Sequence, residues 1–174
     1  LKELGAKRVI GINAVGGIRD DMGPRVLVVP NQIIDYTHGR ITSFSDGSDI
    51  AVRHIDFSEP YSTPMRNDLL DACLRAGVDV VDEGCYGATQ GPRLETRAEI
   101  TRMKRDGCDL VGMTGMPEAA LARELDLDYA CLALVANWAA GCGDEAEISL
   151  DDIFANLEQS TSYIPAILEA LLKA

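Results

Sequence analysis

The sequence predicts a single α/β domain with a mixed, mostly parallel central sheet flanked by helices. Two observations carry that expectation. Apolar segments rich in β-formers alternate along the chain with segments of helical periodicity, the order expected of a layered α/β sheet. The chain has 174 residues, 47% of them hydrophobic, which suits one sizeable core and leaves little for a second. The domain is therefore taken as residues 1–174.

The elements follow in order. Leu1 to Ala6 reads as the last turn of an amphipathic helix closed by Gly5, with no initiator Met before it, so the chain is expected to begin inside a domain. Lys7 to Ile12 is a buried strand that leads into a glycine turn, Asn13-Ala14-Val15-Gly16-Gly17. Arg25 to Pro30 is a second strand, continuing through Ile33 and Ile34. Thr37 to Glu59 is polar and aperiodic, a long loop of the kind that is usually functional. Pro64 opens a helix with Met65, Leu69, Leu70, Cys73 and Leu74 on one face, ended by Gly77, and a strand runs from Val78 toward Tyr86. Thr96 and Glu99 form a capping box for a helix to about Asp106. Asp109 to Met113 is a short strand, and Pro117 stands in the first turn of a helix from Glu118 to Leu125. Tyr129 to Ala136 is the central strand, ending in Asn137. An acidic loop from Gly141 to Glu147 precedes helices near Leu150 to Gln159 and Tyr163 to Leu172.

Composition excludes several classes of function. The formal charge is −12, from 28 acidic and 16 basic side chains, and the basic residues form no cluster. Neither a nucleic-acid backbone nor an anionic membrane is expected as partner. Five cysteines without close pairs suggest neither a disulfide framework nor a zinc site, which fits a reducing cytoplasm. No apolar run approaches the roughly 20 residues of a bilayer span.

Four segments carry candidate chemistry. Asn137 presents an amide beyond the carboxyl end of a strand, where α/β sheets hold ligands, although an Asn there also serves turns. In the glycine turn at Asn13 and Ala14, exposed main-chain N–H groups can hold an anion, or the turn is merely tight. Thr114, in Gly112-Met113-Thr114-Gly115-Met116-Pro117-Glu118, joins a strand end to a helix N-terminus, which favours phosphate or simply a cap. Glu95, in Gly91-Pro92-Arg93-Leu94-Glu95-Thr96, puts a carboxylate at a helix start, where dipole complementarity alone would account for it.

These motifs, in this order and across essentially the whole chain, resemble the signature segments of the trimeric purine nucleoside phosphorylase and methylthioadenosine phosphorylase family. The resemblance is to the carboxyl-terminal two thirds of such an enzyme, whose amino-terminal portion ordinarily adds a Gly-rich phosphate loop and an Arg-His pair. It implies phosphorolysis of a purine nucleoside, with inorganic phosphate as co-substrate and no metal or organic cofactor, in a homotrimer. By motif, Asn13, Ala14 and Thr114 would contact phosphate, Met113 would lie under the sugar, and Leu94 would cover the base. Glu95, Asn137, Trp138 and Ala139 would meet the base. His54 would reach a neighbouring subunit's site.

Hydrogen-bond chemistry then selects the base. A Glu95 carboxylate accepts from the N1–H of a 6-oxopurine but opposes the N1 lone pair of adenine, while Asn137 can donate to O6 and accept from a protonated N7. Adenine-type relatives resemble Thr-Asp-Tyr-Asp where this chain has Ala136-Asn137-Trp138-Ala139. Hydroxyl-selecting relatives carry a His near the position of Leu150 and methylthio-selecting relatives an aliphatic residue, so Ile148 and Leu150 suggest an apolar 5′ pocket, or simply pack the following helix. S-methyl-5′-thioinosine is the expected substrate, with inosine or guanosine second and methylthioadenosine third. A non-catalytic purine-binding or trimer-forming remnant is the alternative of another class.

Overall fold

The computed structural model describes residues 1–47, 49–143 and 149–173. Ile148 and residues 144–147 of the acidic loop lie outside them. After a short 3-10 turn at Lys2–Leu4 come β1 (Arg8–Gly17), β2 (Leu27–Val28), β3 (Gln32–Asp35), α1 (Thr63–Arg75) and β4 (Cys85–Ala88). Then follow α2 (Arg97–Asp106), β5 (Leu110–Gly112), α3 (Gly115–Glu124), β6 (Asp128–Trp138), α4 (Leu150–Thr161) and α5 (Ile164–Leu172).

One six-stranded sheet has the order β2-β6-β1-β5-β4-β3. β1 runs parallel to β6, β4 to β5 and β3 to β4, whereas β1 with β5 and β2 with β6 are antiparallel. The sheet is thus mixed and mostly parallel, as expected. It also curls. β2 and β3 are consecutive in the chain yet sit at opposite edges, and Val81, ahead of β4, bridges to Val28 of the far edge.

Helices cover both faces of the sheet, and the central strand β6 is buried on both sides from Tyr129 to Ala136. On one face, Leu69 of α1 and Ile167 of α5 pack against Leu27 and Leu132. On the other, Met116, Ala119 and Ala122 of α3 pack over Val15, Tyr86 and Tyr129. Ile100 and Met103 of α2 close a third cluster against Ile18 and Val111. Ser62 caps α1 and Ser149 caps α4 through their side chains, and the Thr96–Glu99 capping box of α2 is formed reciprocally. No helix among the described residues is long and apolar enough to cross a membrane.

Some expected elements differ. Asn13 to Gly17 is strand, paired with β6 to its end across a bulge after Val15, and not a glycine turn. The glycines are there for close approach: a Cβ on Gly17 would fall 1.7 Å from the Met22 carbonyl oxygen. The expected strand from Arg25 to Ile34 divides into β2 and β3 around Pro30, which has no N–H for a ladder. The strand expected from Val78 shrinks to β4, since Asp79, Asp82 and Glu83 interrupt its apolar pattern. α3 is kinked at Met116, whose φ of −122° and ψ of 142° are not helical, so its regular turns start at Pro117 and Glu118 as expected, after a separate turn at Gly115. Residues 37–59 carry no helix or strand among the described residues, as the composition implied.

Candidate active site

The body of β1 and the carboxyl ends of β5 and β6 line a cleft of about 580 Å³, a size suited to a nucleoside. Its position follows from strand pairing. β1 has β6 beside it throughout but meets β5 only at Gly16 and Gly17. The opposite edge of Gly11 to Val15 therefore has no strand against it, and those residues form the cleft wall.

Eight of the residues singled out from the sequence come together on that wall: Asn13, Ala14, Leu94, Glu95, Met113, Thr114, Asn137 and Ala139. Asn13 is only 4% exposed. Its Nδ2 has no hydrogen-bond partner among the described residues, although an unmet buried donor costs about 1–3 kcal/mol. The Asn137 side chain donates through Nδ2 to the Trp138 carbonyl at 2.6 Å, which leaves a second amide proton and the oxygen to act elsewhere. Glu95 is half-buried and accepts from the Thr89 hydroxyl at 2.6 Å. The Thr114 N–H lies 3.4 Å from the Tyr86 hydroxyl, whose phenol is pushed up by burial.

Three singled-out residues lie elsewhere. Trp138 follows Asn137 in a strand, where successive side chains take opposite faces, and its ring packs against Gly23 and Gly143 instead of lining the cleft. Leu150 is 65% exposed at the start of α4, and Ile153, about one turn later, is the α4 side chain that reaches the cleft. His54 is exposed in the long loop and is not part of the cleft of its own chain.

The structure also adds residues to the site. Glu118, in the first turn of α3, lines the cleft and accepts from the Tyr129 hydroxyl at 2.6 Å. Burial comes first among the causes that push the Tyr129 phenol well up, so it serves as a donor. Arg40, in the long loop, gathers the carbonyls of Thr89, Gln90, Met113 and Met116 behind the cleft. Glu118 closes the sequence motif containing Thr114, so its presence was open to inference. Arg40 lies in an aperiodic stretch and gave no signal.

The cleft can hold a planar heterocycle between apolar side chains, with the Glu95 and Glu118 carboxylates and the Asn13 and Asn137 amides available to polar groups. Its lining contains no Lys or Arg among the described residues, so an anion here would be met by uncharged donors. No group of three or more His, Cys, Asp or Glu is placed to hold a metal ion among the described residues.

Comparison with known proteins gives a consistent result. The family described as the Phosphorylase superfamily matches residues 1–173. A protein of Xanthomonas campestris pv. campestris named probable S-methyl-5'-thioinosine phosphorylase is 57% identical over 173 residues, covering 99% of this chain and 69% of the relative. A relative of the same name from Xylella fastidiosa is 54% identical, covering 99% of this chain and 70% of its own length. Among solved structures, methylthioadenosine phosphorylase from Schistosoma mansoni in complex with adenine superposes with a TM-score of 0.93 at 31% identity. That match covers 99% of this chain and 67% of the other.

Proposed function

This chain belongs to the phosphorylase superfamily, and from that premise we propose that the protein is a purine nucleoside phosphorylase, a pentosyltransferase, acting on S-methyl-5′-thioinosine. Phosphate attacks C1′ of the sugar, hypoxanthine leaves, and 5-methylthioribose 1-phosphate is the second product. The relatives at 57% and 54% identity carry the corresponding name. The observation that carries the choice of base is the presence of the Glu95 carboxylate and the Asn137 amide on one cleft wall.

Glu95 accepts from N1–H of a 6-oxopurine and would oppose the lone pair of adenine N1, while Asn137 serves O6 and N7. As the bond to C1′ breaks, charge grows on the purine, and a hydrogen bond from Asn137 to the leaving base strengthens in the transition state. Leu94 covers the base and Met113 lies beneath the sugar. Asn13, Ala14 and Thr114 supply uncharged donors toward phosphate, and the unpartnered Asn13 amide supports that assignment. Inorganic phosphate is co-substrate, and positioning with electrostatic stabilisation supplies the catalysis without a metal or organic cofactor.

The 5′ substituent meets α4. Ile153 supplies the apolar wall there, which welcomes a methylthio group and leaves a 5′ hydroxyl unpaired. Inosine and guanosine are the second choice.

His54 and the long loop reach a neighbouring subunit in a closed homotrimer, each copy lending its loop to the next. Light scattering on the protein expressed from its complete reading frame should give a trimer, and a fully active monomer would refute this arrangement. Chromatography of a reaction with S-methyl-5′-thioinosine tests the reaction itself. Hypoxanthine should be released only when phosphate is present; release without phosphate would indicate hydrolysis instead.

A further inference from the structure

The carboxylate assigned to the base is not held by its own segment. Glu95 sits between β4 and α2, in neither element, and the terminal torsion of a Glu side chain is broad. The Thr89 hydroxyl donates to its Oε1 at 2.6 Å.

Thr89, unlike Glu95, is rigidly placed. It directly follows β4 and is 8% exposed. Its N–H donates to the Gly112 carbonyl at 2.8 Å, extending the pairing of β4 with β5. As a β-branched residue it has few χ1 choices. The Gly112 carbonyl is also 3.3 Å from the hydroxyl, but a single proton cannot serve both acceptors equally. The shorter contact, to a charged acceptor, takes it. One Glu95 oxygen is thereby fixed as the acceptor of a protein donor. That contact restrains the carboxylate, which lines the cleft, and leaves its remaining lone pairs as acceptors.

We propose that Thr89 is a positioning residue that orients the Glu95 carboxylate toward the purine edge and so sets the preference for a 6-oxo over a 6-amino base. This rests on the reading of Glu95 given under the proposed function, and the two can fail separately.

The test uses protein expressed from its complete reading frame. Hypoxanthine and adenine binding are measured by calorimetry on wild type, Thr89→Val, Thr89→Ser, Glu95→Gln and the Thr89→Val/Glu95→Gln double variant. Valine keeps the branched shape and removes the hydroxyl; if it fails to fold, Thr89→Ala replaces it in both the single and the double variant. Thr89→Val should weaken hypoxanthine by about tenfold while adenine changes by less than about twofold, and Thr89→Ser should recover most of the loss. In the Glu95→Gln background, Thr89→Val should add less than about twofold, because the residue acts through Glu95. Equal weakening of both bases, or the full effect persisting without the Glu95 carboxylate, would overturn the role of Thr89 alone. A Glu95→Gln variant with an unchanged hypoxanthine-to-adenine ratio would overturn the base-recognition reading, and this proposal with it.

Discussion

Gly11→Ala is the substitution whose cost can be worked most directly from the structure. A Cβ at Gly11 would stand 2.3 Å from the Tyr129 hydroxyl oxygen and 3.1 Å from both Glu118 Oε2 and Tyr129 Cζ. The ring cannot simply swing away. Tyr129 is 2% exposed, stacks on Tyr61 with ring centroids 6.0 Å apart, and donates to Glu118 at 2.6 Å. Overpacking a tight core costs about 1–3 kcal/mol, and losing a hydrogen bond to a charged group about 1.5–3 kcal/mol. Partial relaxation brings the combined expectation to about 2–5 kcal/mol, or roughly 5–15 °C in Tm for a domain of this size. Urea unfolding read by circular dichroism would measure it. The same substitution in a Tyr129→Phe background should cost much less than in wild type, because the atom at 2.3 Å is gone. Wild-type stability for Gly11→Ala, or an equal cost in both backgrounds, would refute the reasoning.

Asn137→Ala should lower kcat/KM for 6-oxopurine nucleosides by roughly ten- to a thousandfold in steady-state assays, since the lost bond strengthens as the base leaves. Ile153→Asn should narrow the preference for S-methyl-5′-thioinosine over inosine by about three- to tenfold, with Leu150→His altering the ratio less because Leu150 is off the cleft. The Arg93 guanidinium, and then the Thr96 N–H, hold the Glu99 carboxyl at about 2 instead of its ordinary 4.5. A depressed folded-state value stabilises fully above pH 4.5 and is lost as pH falls toward 2. The deficit of Glu99→Gln in urea midpoint should accordingly be constant above pH 4.5 and vanish near pH 2.

Thr114 and Asn137 were legible because each stands at the end of a strand. Asn13 lies inside β1, and β5 runs antiparallel to it and pairs only at Gly16 and Gly17, so the parting of these two strands before Gly16 is what brings Asn13 to the same wall. The failures have physical causes too. Asn13 to Gly17 resembles a turn by composition, yet Gly17 admits the Met22 carbonyl and Gly16 the close approach of Val111 and Ala139, demands that only the folded chain reveals. Trp138 stands next to Asn137 in sequence but on the other side of the strand. Leu150 and Ile153 are both apolar near the start of α4, and helix rotation alone decides that Ile153 meets the cleft. Thr89 and Arg40 act through single polar contacts across the fold, which carry no periodicity to read.

The measurement closest to the central claim is a comparison of kcat/KM, with phosphate, for S-methyl-5′-thioinosine, inosine and methylthioadenosine on wild-type protein expressed from its complete reading frame. An apolar 5′ wall predicts at least about tenfold for S-methyl-5′-thioinosine over inosine. The Glu95 and Asn137 edge predicts at least about a hundredfold over methylthioadenosine, from two mismatched buried contacts. Equal or better turnover of methylthioadenosine would contradict the account of how this cleft reads its base.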